Sequence, residues 1–148
     1  MEILSPAYGK IIHKAEYSDK YHIAIFLSVF DNHVQYAPVK GIIKNLKYKE
    51  GQFNMAQFFE KSNHNERLDT TIFNDEIGLI MVRQLAGLIA RTIRTYVKVD
   101  QRIIQSQPIG KILFGSRVDL FLPKIVRLNP DFKVGNKVYG GKSILANV

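Results

Sequence analysis

The sequence contains no cysteine and no tryptophan among its 148 residues. The lack of cysteine excludes a disulfide framework, a thiol nucleophile and a cysteine-ligated zinc site, while leaving the cellular compartment open. Acidic residues are also few, because 13 Asp and Glu stand against 21 Lys and Arg, for a formal net charge of +8. Such a surface favours anionic partners, either nucleic acid or an acidic lipid surface.

Long apolar runs are missing as well. The longest, Ala24–Phe30 and Ile77–Val82, are far below the roughly 18–20 residues that a membrane-spanning helix needs. The N-terminal residues lack the basic start, apolar run and small-residue cleavage site of a secretory signal. We therefore expect a cytoplasmic protein that associates with membranes only peripherally.

The apolar residues that are present alternate with period two or form short solid runs, which predicts strands. The best helical candidate is the short segment Met55–Lys61. A weak internal repeat relates Ser5–Ile11 to Ala37–Ile43, and Val97–Ile103 to Phe132–Val138. We predict one domain over residues 1–148, a mainly β sandwich with hammerhead-like (lipoyl-like) repeats and one short helix. Strands are expected over Tyr21–Val29, Glu76–Gln84, Leu88–Val97 and Lys111–Leu122, the last with a kink at Gly115.

The dipeptide Gly115-Ser116 has the residue types for self-cleavage. If the bond is held strained in a sharp turn, the serine hydroxyl attacks the preceding carbonyl and the amide becomes an ester. β-Elimination then cuts the chain, and the resulting dehydroalanine hydrolyses to a pyruvoyl group. An ordinary turn is the commoner occurrence of this dipeptide, so the residues alone leave both interpretations open.

A second candidate is Asp31-Asn32-His33, which follows an apolar strand. On an extended chain residues 31 and 33 face the same side, so Asp31 can orient His33 as a general base. The alternative is a plain turn with a solvated histidine. His13, His22 and His64 lack metal-ligand spacing, so we predict no metal site.

Several segments, in order along the chain, resemble the motifs of phosphatidylserine decarboxylases. The resemblance covers nearly the whole sequence, and its most specific block, Phe114–Pro123, is similar to the short, archaeal-type branch of that family. The segments are Ser5–Ile11, Ser28–Val34, Ala37–Gly41, Asn65–Arg67, Val97–Val99 and Ile109–Pro123.

This resemblance implies a pyruvoyl-dependent lyase made as a proenzyme, which converts phosphatidylserine to phosphatidylethanolamine and CO₂ through a Schiff base. Cleavage between Gly115 and Ser116 would give a β chain of residues 1–115 and an α chain of residues 116–148. Ser116 would become the pyruvoyl cofactor, and His33 aligns with a histidine tied to proton transfer. The implied partners are phosphatidylserine at an anionic membrane surface and the two fragments of the chain itself. No nucleic acid is expected, and a homodimer is left open.

One departure bears on processing. The family motif Ala-Asp-Gly reads Ala7-Tyr8-Gly9 here, and a phenol, which stays protonated at neutral pH, is a poor replacement for a carboxylate. Either Asp31 orients the processing base instead, or the chain is an unprocessed pseudoenzyme that binds anionic phospholipid. A basic β-domain that binds nucleic acid is a further alternative, supported by charge alone.

Overall fold

The computed structural model describes residues 1–88, 92–113 and 115–148, and this part of the chain is mainly β. One short helix, α1, covers Phe59–Ser62. The strands are β1 (Glu2–Leu4), β2 (Gly9–Glu16), β3 (Lys20–Leu27), β4 (Val34–Tyr36), β5 (Gly41–Lys49), β6 (Arg67–Asn74), β7 (Gly78–Leu85), β8 (Arg94–Thr95), β9 (Arg102–Ile103), β10 (Pro108–Lys111), β11 (Ser116–Pro123), β12 (Arg127–Leu128), β13 (Lys137–Val138) and β14 (Ile144–Asn147).

The strands form one large sheet and two small ones. Eight strands pair in the order β13-β2-β3-β11-β7-β6-β5-β9, and the small sheets have the orders β1-β14-β12 and β4-β10-β8. Side chains alternate between the two faces of a strand. On β11, Val118, Leu120 and Leu122 therefore share one face and belong to the apolar core. Arg117 and Asp119 lie on the opposite face, so β11 separates an apolar layer from a polar one.

The predicted repeat is present as a crossed pair of backbone hydrogen bonds. Leu4 N donates to Pro38 O at 3.1 Å, and Tyr36 N donates to Pro6 O at 2.8 Å. Each donor is thus two residues before the proline of its own copy and bonds to the proline of the other copy. The two copies are related by an approximate twofold exchange.

The glycines of the two copies occupy matching places. Gly9 begins β2 and Gly41 begins β5. A Cβ atom on Gly9 would lie 2.2 Å from the carbonyl oxygen of Phe26, and one on Gly41 would lie 2.2 Å from that of Phe73. Neither position has room for a side chain, which is why glycine recurs at the start of each strand pair.

The predicted fold class, mainly β with one short helix, is confirmed, and two local predictions need correction. The helix is shorter and begins later than Met55–Lys61. Within Leu88–Val97, residues 89–91 lie outside the described residues, and in the described remainder only β8 is strand. Thr92 and Val97 are nevertheless buried, so the apolar pattern there reflects packing against the core and not a continuous ladder.

Candidate active site

Ser116 lies at one end of the large sheet, where three strands begin or end. It is the first residue of β11 and pairs with Leu27, the last residue of β3, while Arg117 pairs with Leu85, the last residue of β7. The backbone N–H of Gly115 donates to Leu27 O at 2.7 Å. Gly115 has a φ of +72°, in the left-handed region that favours glycine. The chain therefore bends sharply just before Ser116, as the sequence predicted; Phe114 lies outside the described residues.

The Ser116 hydroxyl is buried without a partner. The residue is 1% exposed, and no atom of the described residues forms a hydrogen bond with its Oγ. Buried hydroxyl groups are normally paired, because an unpaired one costs about 1–3 kcal/mol. The hydroxyl is thus held next to the Gly115 carbonyl with no competing hydrogen bond, which suits a nucleophile.

Gly87 packs directly against the carbonyl group of the Gly115-Ser116 bond. A Cβ atom on Gly87 would lie only 1.9 Å from the carbonyl oxygen of Gly115. The preceding residue is fixed from both sides, because Asn65 Nδ2 donates to Ala86 O at 2.7 Å and Ala86 N donates to Glu66 O at 2.9 Å. The backbone at 86–87 therefore forms a rigid wall beside the bond. Sequence reasoning missed Gly87, since a glycine after a strand is an ordinary turn signal.

His33 lies beside the segment that leads to the bend. Its carbonyl oxygen accepts hydrogen bonds from Ile112 N at 3.1 Å and from Gln35 Nε2 at 2.8 Å. The Nε2 atom of its ring is buried. The structure thus holds the His33 backbone next to a residue three positions before Gly115. The catalytic role of His33 stays a prediction.

Asp31 closes its own turn. Its Oδ2 atom accepts hydrogen bonds from the backbone N–H of Ser28 at 2.8 Å and from Ser28 Oγ at 3.0 Å. Asp31 N donates in return to Ser28 O at 3.2 Å. These contacts give Asp31 a structural task in the turn, and its predicted role in orienting His33 stays a prediction.

Tyr8, at the position of the family aspartate, belongs to an aromatic cluster. Its ring packs edge-on against Tyr36 and Tyr139, with centroid distances of 6.1 and 5.9 Å. Gly140 makes room for two of these rings, because a Cβ atom there would lie within 3.0 Å of both Tyr36 and Tyr8. The local environment is therefore built for aromatic packing.

Arg117 is anchored on the outer face of the sheet, opposite Ser116. It is 1% exposed, and its guanidinium group donates to both carboxylate oxygens of Asp119 at 2.7 Å. It also donates to Phe59 O at 3.0 Å, to Ser62 Oγ at 2.7 Å and to Asn63 Oδ1 at 2.6 Å. All five donors of the fork are used, so Arg117 joins β11 firmly to the α1 region.

Asp119 completes this cluster and is fully buried. Its Oδ2 atom lies 2.9 Å from His22 Nε2. Burial by itself would raise the pKa of the carboxyl group, but the hydrogen bonds and charges of Arg117 and His22 outweigh it and hold that pKa below its ordinary value. Asp119 is therefore a charged, paired structural group.

The comparisons with known proteins agree with this geometry. The family model for phosphatidylserine decarboxylase matches residues 2–146. The chain belongs to the phosphatidylserine decarboxylase family. Members of this family are decarboxylases, that is lyases, and membership favours this interpretation over a nucleic-acid-binding domain. In the described part of the chain, no helix has the length and apolar character needed to cross a membrane.

Three similar proteins carry the name phosphatidylserine decarboxylase proenzyme. The one from Amoebophilus asiaticus is 39% identical, over 99% of this chain and 67% of its own length. Those from Ralstonia nicotianae and Carboxydothermus hydrogenoformans are each 36% identical over 99% of this chain, and the match covers 70% and 71% of their lengths. The similarity to these proenzymes thus extends over nearly the whole chain.

Proposed function

We propose that this chain is a phosphatidylserine decarboxylase proenzyme that cuts itself between Gly115 and Ser116 and then converts phosphatidylserine to phosphatidylethanolamine and CO₂. The observation that carries the proposal is the buried, unpartnered Ser116 hydroxyl beside a carbonyl held in a left-handed bend. The printed names of the relatives, all proenzymes, support it.

The self-cleavage follows from groups within the chain. Ser116 Oγ forms a bond to the carbonyl carbon of Gly115, the C–N bond between the residues breaks, and the nitrogen of Ser116 takes up a proton. Loss of the Ser116 Cα proton then expels Gly115 as the carboxylate end of the β chain. Water replaces the nitrogen of the remaining dehydroalanine and releases ammonia, which leaves a pyruvoyl group at the start of the α chain.

The surroundings of Ser116 fit a pyruvoyl group. The buried hydroxyl has no hydrogen bond to lose when it is consumed. The chemistry supplied there is that of an electron-withdrawing carbonyl, which takes up the substrate amine as the carboxylate leaves. β11 pairs with β3 on one side and β7 on the other. Both neighbours belong to the β chain, so the new terminus stays where it formed.

Arg117 gives the α chain a second hold on the β chain. It is the second residue of the α chain, while its partners Phe59, Ser62 and Asn63 belong to the β chain. These bonds cross the cut without involving the cleaved peptide. We therefore assign Arg117 the task of positioning the modified terminus after cleavage.

We assign to His33 the delivery of the proton that replaces CO₂ on the substrate carbon. Support comes from its match to the family histidine and from the bond between its carbonyl group and Ile112, which holds it beside the segment leading to Ser116. An imidazole suits this task because it changes charge near neutral pH. The substrate places the enzyme at an anionic membrane surface.

The test is the mass of the purified chain after incubation. Processing gives an α fragment of 33 residues (116–148) whose N-terminus carries a ketone that reacts with a hydrazide. Ser116→Ala is expected to remain a single chain, because no hydroxyl is left to attack. Ser106→Ala is the control, since the hydroxyl of Ser106 only donates to Gly141 O; this variant is expected to be cut normally.

The pseudoenzyme alternative is favoured by one observation, the aromatic cluster around Tyr8 in place of a carboxylate. It predicts a wild-type chain that stays at full length after prolonged incubation yet binds anionic phospholipid. That result would refute the active-enzyme proposal.

A further inference from the structure

Two large apolar side chains point into solvent on the loop that follows β3. Phe30 is 95% exposed and Val29 is 59% exposed. An aromatic side chain this exposed gains nothing from the fold of the chain that carries it. A surface that buries it in a partner would gain that free energy.

The loop is rigid rather than loosely extended. The Asp31 carboxylate accepts both the backbone N–H and the hydroxyl group of Ser28, and Ser28 Oγ accepts from Phe30 N at 3.3 Å. The turn Ser28–Asp31 is thus closed on both sides of Val29 and Phe30. Their exposure is therefore a property of a built turn, which we call the apolar tip.

The apolar tip lies at the Ser116 end of the large sheet, because β3 ends at Leu27 and Leu27 pairs with Ser116. The loops after β7 and before β11 reach the same end. Each carries an exposed leucine, Leu88 at 64% and Leu113 at 36% exposure. Apolar groups therefore surround the approach to the proposed reaction centre.

Positive charge stands next to the apolar tip. A groove of about 570 Å³ is lined by Phe30 together with Lys10, Lys137 and the apolar residues Ile12 and Phe26. Both lysines are exposed. Asp31 also lines this groove, but its carboxylate is engaged by Ser28. Exposed apolar groups next to lysines are the combination that suits the interface of an anionic bilayer.

We propose that the apolar tip inserts into the surface of an anionic bilayer while Lys10 and Lys137 contact the headgroups. This docking turns the Ser116 end of the sheet toward the lipid, so that a phospholipid headgroup can reach the site while its acyl chains stay in the membrane. The inference rests on the proposed function for the identity of the lipid substrate, but the docking surface stands on its own geometry.

The chain offers a direct test because it contains no tryptophan. Phe30→Trp places a single fluorescent reporter in the apolar tip, and Ile104→Trp places one at the opposite end. Ile104 is a matched control: it is 71% exposed and borders a groove that also contains Lys40 and Arg102. Both are made in the Ser116→Ala chain, so that neither cleavage nor turnover changes the protein during the measurement.

We expect the emission of the Phe30→Trp chain to shift to shorter wavelength on vesicles of phosphatidylcholine with phosphatidylglycerol, and the Ile104→Trp emission to stay unchanged. Phosphatidylglycerol is anionic but is not the proposed substrate, so binding reports the surface and not the reaction. Phe30→Ser is expected to weaken vesicle binding at least about tenfold, because burial of the ring is lost. Exchanging Lys10 and Lys137 together for Gln should remove most of the salt dependence.

Equal shifts at both reporters, no shift at Phe30→Trp, or unchanged binding by a folded Phe30→Ser chain would each overturn the inference. Failure of the proposed function gives a different result. A chain that never releases CO₂ yet inserts Phe30→Trp refutes the enzyme and keeps the docking surface, whereas an active enzyme without insertion does the reverse.

Discussion

Gly87→Ala is expected to block self-cleavage while leaving the chain folded. The added Cβ atom would lie 1.9 Å from the Gly115 carbonyl oxygen, where ordinary contacts begin at 3.4 Å. One side must therefore move by more than about 1 Å. Ala86 is pinned by Asn65 and Glu66, but a Cβ on Gly115 would meet nothing within 4 Å. We expect the Gly115 peptide to move.

The size of the effect follows from this displacement. Misplacing a reacting group by about 1 Å can slow a reaction by about 100-fold, so cleavage should slow by that order. The overpacking itself costs about 1–3 kcal/mol of the free energy of unfolding. That cost is tolerable for a domain stable by about 5–15 kcal/mol.

The assay follows the full-length chain and the α fragment by mass over time. Hydroxylamine, which cleaves esters, is added to a parallel sample. If Gly87 positions the carbonyl for attack, the variant forms no ester and hydroxylamine does not speed its cleavage. Rapid cleavage by hydroxylamine would instead place the defect after the attack.

Gly41→Ala is the matched control, because its Cβ would lie 2.2 Å from the Phe73 carbonyl oxygen at the other end of the sheet. We expect a comparable loss of thermal stability with normal cleavage. A folded Gly87→Ala chain that is cut at the wild-type rate would refute the reasoning, as would equal slowing in the control.

Three further outcomes are expected. His33→Ala should abolish release of labelled CO₂ and leave the melting temperature nearly unchanged; normal turnover would refute the assignment. Tyr8→Asp should speed appearance of the α fragment if His33 is the processing base, and a rate equal to that of a Tyr8→Phe control would argue against this pairing. Burial, then the charge of His22, lowers the pKa of His13 from 6.5, so the folded state binds fewer protons and stability should fall as pH drops below 6.5 toward the lowered value. His13→Gln should flatten the melting temperature between about pH 7 and about pH 5, and an unchanged profile would count against it.

The sequence by itself determined the β class, the repeat and the cleavage candidate. Period-two apolar patterning specifies strands through local side-chain alternation. The repeat carries a glycine at each strand start, and the structure shows the same 2.2 Å approach to a carbonyl oxygen at Gly9 and Gly41. Gly115-Ser116 is visible as a dipeptide because its chemistry involves neighbouring atoms only.

Tertiary structure alone decided which groups surround that dipeptide. Gly87 meets Gly115, and Arg117 meets Phe59, Ser62 and Asn63, across long separations along the chain. Antiparallel pairing of β11 with β3 and β7 sets these contacts, and no local periodicity encodes which strands become neighbours. The task of Asp31 was likewise decided by a turn that closes on Ser28. Residues 31 and 33 share a side only on an extended chain, and this chain is folded back.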